Sequence, residues 1–159
     1  MTTGNALRAV LTLVAALAPL CVRAADEAVP ACHAATEPVG WVPADVLQKP
    51  VTLTQGIGDI HEAVSTRSPE AQAFYDQGLS YLHSYVWIEA ARAFHQALRH
   101  DPQLAMAYLG LSRAYTYFDP AAARQMLEKA KALSAQASPR ERTRLDLRRL
   151  QLDSMDEPK

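Results

Sequence analysis

An all-α fold of helix-turn-helix units, about two of them with a further helix at the C-terminal end, is what this sequence of 159 residues predicts. Three observations carry the prediction. Four Ser-Pro or Asp-Pro pairs punctuate the chain from residue 65 onward at helix-start positions. A set of aromatic and small residues returns after a fixed interval. The stretch ahead of these helices carries too many prolines for any regular period, so an extended, irregular segment precedes the helical part.

Residues 1–24 read as a secretory signal. Arg8 supplies a positive start, residues 9–22 are uncharged and mostly Ala, Leu and Val, and Ala24 and Ala25 offer small residues for cleavage. The apolar run is shorter than the ~20 residues a helix needs to cross a bilayer, so no membrane span is expected after cleavage. Leu20 is a poor residue for a lipoprotein site at Cys21. The expected location is periplasmic or secreted. Cleavage leaves Cys32 as the one cysteine, which excludes an intramolecular disulfide. Cys32-His33 has the second half of a c-type haem site, but Val29 stands where the first thiol would be, so a free or intermolecularly paired thiol is expected instead.

Charge is balanced, with 16 basic against 17 acidic residues. Nothing here gives an electrostatic reason to bind nucleic acid. The balance is not uniform along the chain. Residues 25–64 hold six acids (Asp26, Glu27, Glu37, Asp45, Asp59, Glu62) against Lys49, with prolines at 30, 38, 43 and 50. Trp41, Val42, Val46, Leu47, Val51, Leu53 and Ile57 are the side chains that would anchor this segment to the helical part, 65–159.

Ser68-Pro69, Asp101-Pro102, Asp119-Pro120 and Ser138-Pro139 each place a capping oxygen before a proline. The cap accepts an orphan amide proton, and Pro loses nothing where no helical bond would form. Glu141 follows Ser138 by three positions, completing a reciprocal capping box. These signals predict helices over 69–85, 87–100, 102–117, 120–135 and 139–152.

Within the first pair, Phe74, Gln77, Gly78, Tyr81, Ala90, Phe94, Ala97 and Pro102 fall at intervals that resemble the tetratricopeptide repeat, with Gln77 where its consensus has Leu. Gly78, Ala90 and Ala97 are small where two antiparallel helices would pass closest, and the aromatics fill the gaps beside them. The same order returns as Tyr108, Leu111, Ser112, Tyr115, Ala123, Leu127 and Ala130. This second unit is degenerate: one residue shorter in its turn, Ser112 for Gly, Leu127 for Phe, and Ala135 for the closing Pro. Residues 56–66 and Leu82-His83-Ser84-Tyr85 are similar to a group of secreted bacterial proteins built on this repeat. The last helix would cap the stack, its Leu145, Leu147, Leu150 and Leu152 inward and Arg140, Arg142, Arg144, Arg148 and Arg149 on its polar side.

The resemblance implies an adaptor or scaffold that holds a peptide or helix of a partner protein in a concave groove. By register that groove is lined by Gln72, Tyr75, Leu79, Leu82, His83, Met106, Leu109, Arg113, Thr116 and Tyr117. Chaperone-binding members clamp a terminal carboxylate with Lys and Asn; Tyr75, Leu79 and Arg113 stand in their place, so that clamp is not expected. Two repeats are fewer than such stacks usually need. A truncated product, a homodimer through the open end, or a groove filled in cis by residues 41–64 are therefore alternatives. An accessory role in a redox or haem system rests on Cys32-His33 alone.

No enzyme, metal or cofactor is expected. His61-Glu62 lacks the second His of a zinc-protease helix, since position 65 is Ser. His83, His95 and His100 have no partner at ligand spacing. No nucleophile elbow or phosphate-binding glycine loop is present, and Gly56-Ile57-Gly58 lacks the further Gly a dinucleotide site requires.

Overall fold

The computed structural model describes residues 42–156. Its elements are α1 (Ala44–Leu47), α2 (Pro69–His83), α3 (Trp87–His100), α4 (Ala105–Tyr115), α5 (Pro120–Ala132), a 3₁₀ turn (Ser134–Gln136) and α6 (Pro139–Asp156), with no strand among the described residues. Residues 1–24, expected to be a signal, and Cys32, His33 and Trp41 lie outside the described residues.

Three of the four start signals begin helices. Ser68 Oγ accepts the Ala71 amide at 3.0 Å and Asp119 Oδ1 accepts that of Ala122 at 2.9 Å. At α6 the box is reciprocal: Glu141 Oε2 accepts the Ser138 amide at 2.6 Å, and Ser138 Oγ that of Glu141 at 3.3 Å. Asp101-Pro102 is the exception. Asp101 Oδ1 accepts the Gln103 amide at 3.0 Å and Oδ2 the Thr66 hydroxyl at 2.6 Å, so the pair makes a turn. α4 then begins at Ala105, behind Leu104 with no side-chain cap.

Helix ends also differ from expectation. α2 stops at His83 because Tyr85 takes a left-handed backbone, φ 62°. α4 and α5 end earlier than the pattern indicated, and α6 runs on to Asp156. Inside the segment expected to be irregular, α1 makes one turn and buries Leu47 while packing on α3.

Short connections fold each helix back on its predecessor. α2 packs on α3, α3 on α4, α4 on α5 and α5 on α6, while α2 also meets α4 and α4 meets α6. α2, α4 and α6 therefore share one side. The centre is the Phe94 ring, fully buried between two glycines. A Cβ built on Gly78 would lie 2.5 Å from that ring, and one on Gly110 would lie equally close. No glycine can be exchanged there without moving a wedged aromatic.

Residues 51–66 form a strap along α2. Gln77 Oε1 accepts the Thr54 amide at 2.7 Å, and Gln77 Nε2 donates to the Thr52 carbonyl at 3.1 Å. Asp76 Oδ1 accepts the Glu62 amide at 3.1 Å, and Gln72 Oε1 accepts that of Val64 at 3.0 Å. Backbone outside any helix or strand thus pairs several of its polar groups with helix side chains. Gln77, which stands where the resembled repeat has Leu, holds the 52–54 end of the strap.

Candidate functional site

The side shared by α2, α4 and α6 is where the sequence places a groove. It is less open than expected. Tyr75, Leu79, Leu82, Met106, Leu109 and Thr116 are buried, Gln72 and Arg113 are half-buried, and only His83 and Tyr117 are exposed. Two elements of the chain's own account for this correction: α6 lies against α4, and the strap reaches the start of α2.

At that end Glu62 of the strap joins α2 to α6. Its Oε1 accepts the Tyr75 hydroxyl at 3.1 Å, and its carboxylate pairs with Arg144, whose Nη2 donates to Oε2 at 2.6 Å. Gln72 Nε2 donates to the Glu62 carbonyl at 2.9 Å. Burial pushes the Tyr75 hydroxyl well above the usual phenol range, so it remains a proton donor. Ser65 continues the bridge: its amide and hydroxyl donate to Glu141 at 2.8 and 2.5 Å.

Away from the strap the face stays open as two adjoining lobes, each of about 240 Å³. Arg113, Arg148 and Gln151 belong to both. One lobe is walled by Leu79, Met106, Leu109 and Leu147; the other by Thr116, Trp87 and Tyr117. At the rim, Tyr85 meets Trp87 edge-on at 5.3 Å, and Trp87 lies 4.9 Å from Tyr117. Tyr85 and Tyr117 are 76% and 64% exposed, which makes this rim an aromatic surface rather than core.

On α6 the sequence reading misplaced three residues: Leu147 and Leu150, expected inward, are exposed, and Arg148, expected on the polar side, is buried. Arg148 is 5% exposed, on the inner side of α6 with Leu145 and Leu152. The spacing of these three, at i, i+3 and i+7, is one helix face and was the available signal. Its Nε donates to Ser112 Oγ at 3.1 Å, Nη2 to the Ser112 carbonyl at 2.7 Å and to Thr116 Oγ1 at 2.5 Å, and Nη1 to Gln151 Oε1 at 2.7 Å. Every acceptor is neutral. Burial, reinforced by the positive charge of Arg113, pulls the guanidinium pKa down to about 10, still charged at neutral pH. Arg113 makes no side-chain hydrogen bond or ion pair among the described residues. Of the three arginines around the lobes, Arg144 alone faces a carboxylate.

Elsewhere, His61 Nδ1 lies 2.7 Å from Asp76 at the surface. Among the described residues no cluster of three or more His, Cys, Asp or Glu is placed to hold a metal ion, and no helix is long and apolar enough to cross a membrane. No protein-family model, curated protein or solved structure matches this chain.

Proposed function

We propose that this chain is an exported binding module of the tetratricopeptide type, whose face between α2, α4 and α6 receives a segment of another protein. What supports the repeat reading is the register of Phe74, Gly78, Tyr81, Ala90, Phe94 and Ala97, together with the close fit of Phe94 against Gly78. The observation that carries the binding reading is the pair of open lobes beside an exposed Tyr117 and an unengaged Arg113. Aromatic and arginine side chains dominate the energetics of protein recognition, because they combine large contact area with directed polar groups.

A reading in which the groove is occupied in cis has support at one end only, where Glu62 sits on Tyr75 and Arg144. The partner is therefore expected at the other end, over Arg113 and Tyr117. A photo-crosslinking residue placed at Tyr117 should capture a partner in the native host, whereas one at exposed Glu128 on α5 should not. Equal capture at both positions, or none at either, would count against the proposal.

A further inference from the structure

Resting on that reading, we infer that what this face selects in a partner segment is an acidic side chain beside an apolar one: the carboxylate seats on Arg113 and Arg148, and the apolar group enters the lobe walled by Leu79, Met106, Leu109 and Leu147. The argument starts from an imbalance. Taking a guanidinium out of water is costly unless a counter-charge or a full set of acceptors replaces the lost hydration. Arg148 has acceptors but no counter-charge among the described residues, and a second cation, Arg113, lines the same two lobes.

The chain has carboxylates to spare and uses them on other arginines. Glu62 pairs with Arg144, while Asp153 and Asp156 pair with Arg124. Among the described residues none reaches Arg113 or Arg148, so the two charges converge on the lobes unneutralised there. Arg148 is preorganised by α4 through Ser112 and Thr116, which lowers the entropy lost when a carboxylate binds it. A charged acceptor bridging both guanidinia would relieve their mutual repulsion as well as bond to them. Arg113 comes from α4 and Arg148 from α6, beyond the two proposed repeats.

The test is selection of peptides from a randomised library displayed with a blocked C-terminus, so that only side-chain carboxylates are offered to the purified chain. Wild type should enrich Asp or Glu adjacent to Leu, Ile, Val or Phe. The Arg113→Gln variant, which breaks no hydrogen bond of the fold, should lose the acidic preference while retaining the apolar one. Affinity of a selected peptide should fall about 10- to 100-fold in that variant, the worth of a charge-assisted hydrogen bond. It should fall by a similar factor when the peptide's acid is changed to its amide. Peptides enriched without acidic preference would overturn this inference and leave the binding module standing. No enrichment above background would overturn both.

Discussion

Arg148 of α6 donates from Nη2 to the Ser112 carbonyl of α4 at 2.7 Å and from Nε to its hydroxyl at 3.1 Å. Ser112 stands where the proposed repeat would have glycine, so this departure from the resemblance is also the acceptor for the last helix. A buried cation on neutral acceptors is a near balance of opposed terms: several hydrogen bonds gained, one charge desolvated. Replacing Arg148 with Met keeps most of the packing volume and removes the charge, and stability should stay within about 1 kcal/mol of wild type. Arg148→Ala leaves a cavity instead and should lose about 2–4 kcal/mol. Urea unfolding of the two variants checks the contrast; equal losses would mean that the hydrogen bonds outweigh the desolvation.

Phe94 between Gly78 and Gly110 reverses the usual effect of glycine in a helix. At an open helical position Gly→Ala gains about 1 kcal/mol. At Gly78 the new methyl would sit 2.5 Å from the ring, which cannot retreat because Gly110 backs it. Gly78→Ala and Gly110→Ala should each destabilise by about 1–3 kcal/mol, the range for overpacked cores. Shortening the ring relieves the clash, so in a Phe94→Leu background the same substitutions should cost clearly less. A double-mutant cycle read by denaturant midpoints measures that coupling, and purely additive effects would refute the wedge.

The helix starts at Ser68, Asp119 and Ser138 were legible because a cap acts over three residues and needs nothing distant. Asp101-Pro102 carries the same signature, yet its carboxylate is spent on Thr66 and Gln103, and Thr66 belongs to the strap. The close approach at Gly78 was readable from repeat spacing, whereas Gly110 falls outside that spacing and passed unnoticed. The strap has no period to read. Its register is set one contact at a time by Asp76, Gln77, Gln72 and Glu141. The groove residues other than Gln72 all line the two lobes; what helix register cannot give is how far each is exposed, because burial at Tyr75 and its neighbours depends on where the strap and α6 pack. Arg148 was hidden by the arginines around it, although Leu145 and Leu152 mark its face.

Glu141 ties the α6 cap and the strap into one unit. Burial raises its carboxyl pKa, but hydrogen bonds from Ser65 and Ser138 outweigh burial and hold it below the usual range. An amide cannot replace this carboxylate, because whichever oxygen becomes nitrogen would face a backbone N–H of Ser65 or Ser138. Glu141→Gln should therefore cost about 1–3 kcal/mol. Hydrogen exchange at the Ser65, Val64 and Glu62 amides should quicken together as the strap loosens. Unchanged exchange in the strap would show that Glu141 serves α6 alone.

His95 gives the fold a dependence on mild acid. Its Nε2 lies 2.6 Å from the Tyr115 hydroxyl, whose own pKa is pushed up to about 12 by burial and by the charge of Asp119, so the tyrosine donates and the imidazole accepts. Burial first, then the positive charges of Arg99 on α3 and Lys129 on α5, pull the His95 pKa down to about 4 from an ordinary 6.5. The native state thus keeps His95 neutral where the unfolded chain has already taken a proton. Stability tied to this residue is fully present above pH 6.5 and falls as pH drops toward 4, by roughly 2–3 kcal/mol in all. Carboxylates such as Glu141 contribute their own loss only below their ordinary pKa of 4.5. The onset above pH 5 is therefore the part that belongs to His95. His95→Gln retains an acceptor for Tyr115 without a titrating group and should flatten the stability profile between pH 6.5 and 5, as followed by thermal unfolding. A profile that falls equally in wild type and variant over that interval would assign the acid sensitivity elsewhere.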